Sequence, residues 1–116
     1  MFNVDAFDEI ITGTAMTWYT AAAFNPVIGA ADEFVLFAFV TNVSGTSPAL
    51  SVYVDQSGNN RTWILGGSPL ISSALSNNLL LQGTQGTSAS FIRLRMAMTG
   101  TTPQCRLRLT VTGRNY

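Results

Sequence analysis

The chain has 116 residues, which is the size of one domain and too short for two independent cores. Hydrophobic residues make up 47% of it and charged residues only 10%, whereas an ordinary soluble domain is about one-quarter charged. Six acids balance six arginines, and the chain has no histidine and a single cysteine. This composition excludes an intrachain disulfide and removes the commonest general base and metal ligand, and it is typical of a folded rather than a disordered chain.

Residues 1–33 are predicted to form an N-terminal arm together with the first strand or strands of the same domain. Residues 2–11 mix apolar side chains such as Phe2 and Phe7 with three acids, which suits an arm that packs onto its own sheet or reaches a neighbouring molecule. The chain begins without a basic or apolar leader, and no apolar run approaches the length of a membrane span. We therefore expect synthesis in a cytoplasm and no membrane partner.

Short β-branched and aromatic runs recur between turn-forming clusters, and helical periodicity is weak throughout. Predicted strands cover residues 15–24, 33–43, 49–55, 62–65, 79–82, 90–98 and 104–112, while 70–75 suits either a strand or one helical turn. About eight short antiparallel strands in one small chain predict an all-β fold, a single β-sandwich or jelly-roll-like domain with its core in residues 34–116.

A six-residue segment occurs twice, as VSGTSP at 43–48 and MTGTTP at 98–103. Each copy is flanked by alternating strands, which predicts two similar hairpins, 34–55 and 90–112. In the second hairpin, a four-residue loop places Cys105 and its apolar neighbours on the inward face, because a shifted register would bury charge. The outward face of that hairpin then carries four arginines: Arg93, Arg95, Arg106 and Arg108.

The same register applied to the first hairpin places Phe37 and Phe39 inward. Its outward face is then mostly apolar, since Asp55 and Ser51 are accompanied there by Leu36, Ala38, Val40 and Tyr53. An exposed apolar strand face promotes aggregation. We expect it to be covered, either by another subunit or by the N-terminal segment.

The arginine face has two interpretations, a docking surface for carboxylates or another anionic ligand, and an ordinary solvated face. The partner acids could also come from the same chain, from Asp5, Asp8 and Glu9. A nucleic-acid partner is disfavoured, because the net charge is zero and no aromatic residue interleaves with these arginines.

Trp63, Trp18 and Tyr19 are candidates for a sugar-binding platform, with core or interface packing as the alternative. No nucleophile has a visible base, and the adjacent acid pairs point apart in a strand. We expect no enzymatic activity, no cofactor and no metal site, and we expect Cys105 to be a small core residue.

The two Gly-Thr-[Ser/Thr]-Pro segments, the run 54–58 leading to Trp63, and the closing strand 107–113 together resemble small β-sandwich proteins of tailed-bacteriophage virions. Those proteins are capsid cement or decoration proteins and related tail components, and the resemblance covers residues 34–114. It implies a structural role on the capsid surface, often as a homotrimer that binds the major capsid protein or another virion protein, with no cofactor.

On this basis the expected function is a cement protein that stabilises the phage head by binding across neighbouring capsid subunits. Two alternatives stay open: a phage tail receptor- or glycan-binding module that uses Trp63 and asparagine-rich loops, and an accessory carbohydrate-binding domain of a cellular enzyme. The residues predicted to form interfaces are Arg93, Arg95, Arg106, Arg108, Leu36, Ala38, Val40, Tyr53, Phe2 and Phe7.

Overall fold

The computed structural model describes residues 2–14, 18–19, 33–59, 61–86 and 91–114. These residues form six strands: β1 (Phe2–Thr12), β2 (Trp18–Tyr19), β3 (Glu33–Ser57), β4 (Ile71–Ala74), β5 (Leu79–Gly86) and β6 (Phe91–Arg114). The described ranges contain no helix, and so none that is long and apolar enough to cross a membrane. The all-β fold expected from the sequence is confirmed.

The fold is organised by two long strands that pair with each other. β3 has 25 residues and β6 has 24, and they run antiparallel from the pair Glu33 and Arg114 to the pair Ser57 and Phe91. A straight strand of that length would extend about 80 Å, yet the longest dimension of the molecule is 40 Å. The paired strands must therefore fold over along their length.

They fold where the ladder is irregular. Three register shifts interrupt the pairing between Thr41 and Ala49, and Gly45 and Gly100 both have positive φ there. Bulges of this kind bend strands and let them pass from one layer to another. β3 and β6 cross together from one sheet to the other at this point.

The crossing creates a sandwich of two four-stranded antiparallel layers. Sheet I contains β1, the second half of β6, the first half of β3, and β5, in that order. Sheet II contains β2, the first half of β6, the second half of β3, and β4. The layers are in contact, since the buried Cys105 Sγ of sheet I lies 3.9 Å from Met98 Sδ of sheet II.

The prediction of two hairpins, 34–55 and 90–112, is wrong. Neither strand pairs with itself, because β3 and β6 pair with each other on both sides of the bend. The two repeated segments face each other there, with Thr46 opposite Thr101. A repeat flanked by alternating strands fits both arrangements, because two long strands that pair with each other satisfy the same backbone groups as two hairpins.

The two repeated segments pack against each other in equivalent ways. A Cβ added at Gly45 would lie 2.6 Å from the carbonyl oxygen of Thr102, and one added at Gly100 would lie 2.7 Å from that of Ser47. The sequence repeat therefore marks an approximate twofold relation at the crossing, and both glycines are required by this close approach as well as by their φ values of 102° and 119°.

The predicted faces of the first half of β3 are inverted. Thr41 pairs with Arg106 and Ser44 with Gln104, so β3 carries one extra residue here, and Asn42 has a φ of 54°. A second extra residue lies between Thr46 and Ala49, where β6 moves only from Thr101 to Thr99, so the two shifts cancel and Val40 faces the same way as Val52 along β3. The prediction placed Phe39 opposite Val52 across a hairpin turn, and without that hairpin the buried side of this half of the strand is the other one. The residues expected to form an exposed apolar surface are each 0% exposed in the core: Leu36, Ala38 and Val40.

Phe39 is the counterpart of this inversion. The sequence pattern places it inside, and in the structure it is 42% exposed on the outer surface of sheet I. The second half of β3 follows the prediction, with Val52 and Val54 buried.

β1 forms an edge of sheet I, and its side chains Phe7 and Ile11 are buried in the hydrophobic core. Of the two predictions for the N-terminal segment, packing onto its own sheet is the one observed. Residues 71–74 form β4, and the strand predicted over 62–65 is a loop with one bridge between Ile64 and Gln56. Apart from β2, the strand predicted over 15–24 lies outside the described residues.

The core takes side chains from both sheets. Cys105 is 0% exposed among them, and burial raises the pKa of its thiol to about 11. The prediction that Cys105 is a core residue is confirmed. The largest fully buried side chains are Ile11, Leu36, Leu50, Ile92, Leu94, Met96, Leu107, Leu109, Val40 and Val52.

Candidate functional site

The outer surface of sheet II carries three aromatic rings, two guanidinium groups and one carboxylate. Strand register brings most of them together: Arg95 pairs with Tyr19 of β2 and with Tyr53 of β3, and Arg93 pairs with Asp55 of β3. A loop after β3 adds the remaining ring. We call this set the aromatic–arginine cluster: Tyr19, Tyr53, Asp55, Trp63, Arg93 and Arg95.

Asp55 is the anchor of the cluster. It is 0% exposed, and its Oδ2 accepts hydrogen bonds from Arg93 Nε at 3.2 Å and from a terminal nitrogen of Arg93 at 3.0 Å. Its Oδ1 accepts a bond from Gly66 N at 3.0 Å and lies 3.4 Å from Arg95 Nε. A buried carboxylate is tolerated because it is paired and hydrogen-bonded in this way.

The same contacts fix the loop that covers the sheet. Arg95 donates from a terminal nitrogen to the carbonyl oxygen of Gly66 at 3.0 Å. Gly66 therefore accepts a hydrogen bond from Arg95 and donates one to Asp55. A Cβ at Gly66 would lie 2.4 Å from the carbonyl oxygen of Val54. Only glycine lets the loop approach the sheet this closely.

Both arginines stack on aromatic rings. The guanidinium carbon of Arg93 lies 4.5 Å from the ring centroid of Tyr19 and 4.4 Å from that of Trp63, and the guanidinium carbon of Arg95 lies 4.3 Å from the Tyr53 ring. These distances are within the range of cation–π attraction. The stacked rings and guanidinium groups thus restrict one another's positions. The surface they form is partly exposed to solvent, and Tyr19 is 45% exposed.

Local turn chemistry positions Trp63. Asn59 Oδ1 accepts hydrogen bonds from Arg61 N and Thr62 N, each at 2.9 Å, as asparagine does in tight turns. Gln56 and Ile64 exchange two backbone hydrogen bonds of 3.0 and 2.8 Å. These hydrogen bonds close the loop at its base, and the Trp63 ring within it packs on the guanidinium group of Arg93.

The outer surface of sheet I is built differently. Arg106 donates to both carboxylate oxygens of Asp8, at 3.1 and 3.3 Å, and Arg108 lies 3.6 Å from Asp5. The hydrogen bond from Arg106 lowers the pKa of Asp8, and Asp8 in turn raises the pKa of Arg106. Phe39 lies beside these pairs in an open groove of about 200 Å³.

The single face of four arginines predicted from the sequence does not exist. β6 crosses between sheets after Arg95 and before Arg106, so two arginines lie on each outer surface of the sandwich. The predicted alternative that acids of the same chain pair with them is confirmed for Asp5 and Asp8. These surface pairs contribute little to stability because water screens them.

The remaining predicted interface residues divide in three ways. Tyr53 belongs to the cluster, Phe7 is buried with the core residues of β3, and the side chain of Phe2 lies outside the described part of the chain. Of the three aromatics proposed for a sugar platform, Trp63 and Tyr19 meet on the same surface. Trp18 points to the opposite side of β2 and packs against the core.

Sequence reasoning missed Asp55 as the anchor. A signal was present, because Asp55 is an isolated acid within the apolar alternation of the second half of β3. Its meaning depends on the pairing of β3 with β6, which places it opposite Arg93. Among the described residues, no group of three or more cysteines or acids is arranged to hold a metal ion.

The chain is thus a β-sandwich in which the outer surface of sheet II carries partly exposed aromatic side chains. No protein-family model matches the sequence, and neither does any curated protein. Among solved structures, the CBM22-1 xylan-binding domain of Paenibacillus barcinonensis Xyn10C is similar, with a TM-score of 0.60 and 12% identity over 94% of this chain and 83% of that one.

A second similar structure contains the CBM22-1 and GH10 modules of Clostridium thermocellum xylanase 10B in complex with xylohexaose. Its TM-score is 0.51 at 11% identity, and the match covers 96% of this chain and 28% of that one. At these identities the likeness establishes the fold, and the β-sandwich predicted from the sequence is confirmed.

Proposed function

We propose that this protein is a carbohydrate-binding module that holds a polysaccharide chain on the outer surface of sheet II. The observation that carries the proposal is the aromatic–arginine cluster, in which Tyr19, Tyr53 and Trp63 lie beside two fixed guanidinium groups on one partly exposed surface. Aromatic rings offer apolar faces to the C–H faces of sugars, and the guanidinium N–H groups can donate to sugar oxygens.

The cluster is also preorganised for binding. Asp55 fixes Arg93 through two hydrogen bonds, and the stacked rings restrict the remaining side chains before any ligand arrives. Less conformational entropy is then lost on association. The similarity in fold to a xylan-binding domain supports this proposal over other uses of an exposed aromatic surface.

A glycan-binding module is also one of the alternatives that the sequence left open. The capsid cement role, with its trimer and its capsid partner, stays a prediction. Its main physical argument is removed, because Leu36, Ala38 and Val40 are covered by the chain itself and leave no apolar strand face for a subunit to cover.

Isothermal titration calorimetry against soluble xylan, β-glucan and mannan tests the proposal. We expect binding to at least one of them, and a loss of roughly tenfold or more in affinity for Trp63→Ala. Phe39→Ala is the matched control, since Phe39 is an exposed aromatic residue on the other sheet. The proposal fails if no polysaccharide binds, or if both variants weaken binding equally.

A further inference from the structure

The two outer surfaces of the sandwich differ in charge balance. On sheet I, Arg106 pairs with Asp8 and Arg108 pairs with Asp5, one acid for each arginine. On sheet II, Arg93 and Arg95 share Asp55, which is the one described carboxylate within ion-pair distance of either. The aromatic–arginine cluster therefore carries an excess positive charge, while the ion pairs of sheet I are balanced.

The arrangement of these charges also decides what a ligand meets. Asp55 is 0% exposed, whereas the side chains of Arg93 and Arg95 are 23% and 20% exposed. The carboxylate is hidden beneath the guanidinium groups, which present their positive charge to solvent. Arg61, in the loop that carries Trp63, is also exposed.

Donors remain for a ligand. The hydrogen bonds to described residues use Nε and one terminal nitrogen of Arg93, and one terminal nitrogen of Arg95. A guanidinium group carries five N–H donors in a planar fork that matches a carboxylate. Neighbouring rings exclude part of the water around these donors, which strengthens their attraction for an anion.

We infer that the preferred ligand is an acidic polysaccharide, one whose uronate carboxylates bind at Arg93 and Arg95 while its sugar rings lie on the aromatic side chains. This inference rests on the proposed function and names its ligand class. Arg93 and Arg95 carry two positive charges and Asp55 carries one negative charge, so one positive charge is left over. The uronate carboxylate supplies the second negative charge that balances it. A neutral sugar leaves that charge uncompensated.

Calorimetry with a matched ligand pair tests the inference: glucuronoxylan and the same polymer after its carboxyl groups have been reduced to alcohols. In 50 mM salt we expect the acidic polymer to bind about tenfold more tightly. That advantage should shrink several-fold in 500 mM salt, since ions screen partly exposed charges. The reduced polymer should bind with the same affinity at both salt concentrations.

Two variants locate the effect. Arg95→Gln keeps the bonds between Arg93 and Asp55 and should bring the preference for the acidic polymer close to one. Arg108→Gln removes a cation from sheet I and should leave the preference unchanged. If Arg95→Gln fails to fold, the ligand pair and the salt series with the unmodified protein still decide the question.

The outcomes separate the two proposals. Equal affinity for the acidic and reduced polymers overturns the inference and leaves the carbohydrate-binding function standing. Absence of binding to any polysaccharide overturns that function and the inference with it. Equally tight binding of a sulfated galactan would overturn the assignment of a planar carboxylate as the recognised group.

Discussion

Replacing Asp55 with asparagine tests how the aromatic–arginine cluster is held together. Asparagine has nearly the same shape, so packing is retained and the negative charge is lost. The new amide nitrogen would face donors wherever it lies, because the two oxygens now accept bonds from Arg93 and from Gly66 N. The substitution therefore leaves a buried donor without an acceptor and two arginines without a counter-charge.

The expected cost follows from the burial of the group. Removing one partner of a buried ion pair costs about 3–5 kcal/mol. The arginine side chains are 23% and 20% exposed, so water screens part of the positive charge that remains. We expect Asp55→Asn to lower the free energy of unfolding by about 2–3 kcal/mol and Tm by on the order of 10 °C.

Urea unfolding followed by tryptophan fluorescence measures this loss, with the dependence on urea concentration used to check that unfolding stays two-state. Asp8→Asn is the control, because Asp8 makes a similar pair with Arg106 on an exposed surface, and its midpoint should not move measurably. Equal midpoints for the two variants would refute the reasoning that burial of Asp55 makes its pairing essential.

Three further predictions follow from the fold. Leu36→Ala should lower the free energy of unfolding by about 2–4 kcal/mol and Phe39→Ala by less than about 1 kcal/mol, and the reverse order in urea unfolding would contradict the inverted face of β3. Gly45→Ala should destabilise by more than about 1 kcal/mol in the same assay, because its Cβ would lie 2.6 Å from a carbonyl oxygen and its φ is 102°; an unchanged midpoint would contradict the tight crossing. Burial raises the pKa of Cys105 from 9.0 to about 11, so the unfolded chain releases the proton first and stability should fall between pH 9 and 11, by up to about 1.4 kcal/mol per pH unit. The free energy of unfolding measured by urea titration across this range should fall with that slope for the natural chain and with a shallower slope for Cys105→Ala. Parallel slopes for the two proteins would exclude the buried thiol as the cause.

The sequence predicted correctly what depends on neighbours along the chain. Alternation of apolar and polar residues in β6 placed Ile92, Leu94 and Leu107 inward and the arginines outward, and the structure has them there. Alternation is a local property of an extended strand, so it can be interpreted before the partner strand is known. Trp63 and Tyr19 were named as candidates from their chemical type alone, and the structure brings both of them against Arg93.

The tertiary structure decided which strand pairs with which, and the site depends on that choice. The repeated Gly-Thr-[Ser/Thr]-Pro segments could close two hairpins or face each other at a crossing, and only the second choice places Asp55 opposite Arg93 and divides the arginines between two sheets. Without the hairpins Phe39 no longer lies opposite Val52, and the buried and exposed sides of the first half of β3 are exchanged relative to the prediction. Pairing and register join residues far apart in the chain, and a shift of one position reverses a whole face, so the composition of each segment alone cannot fix them.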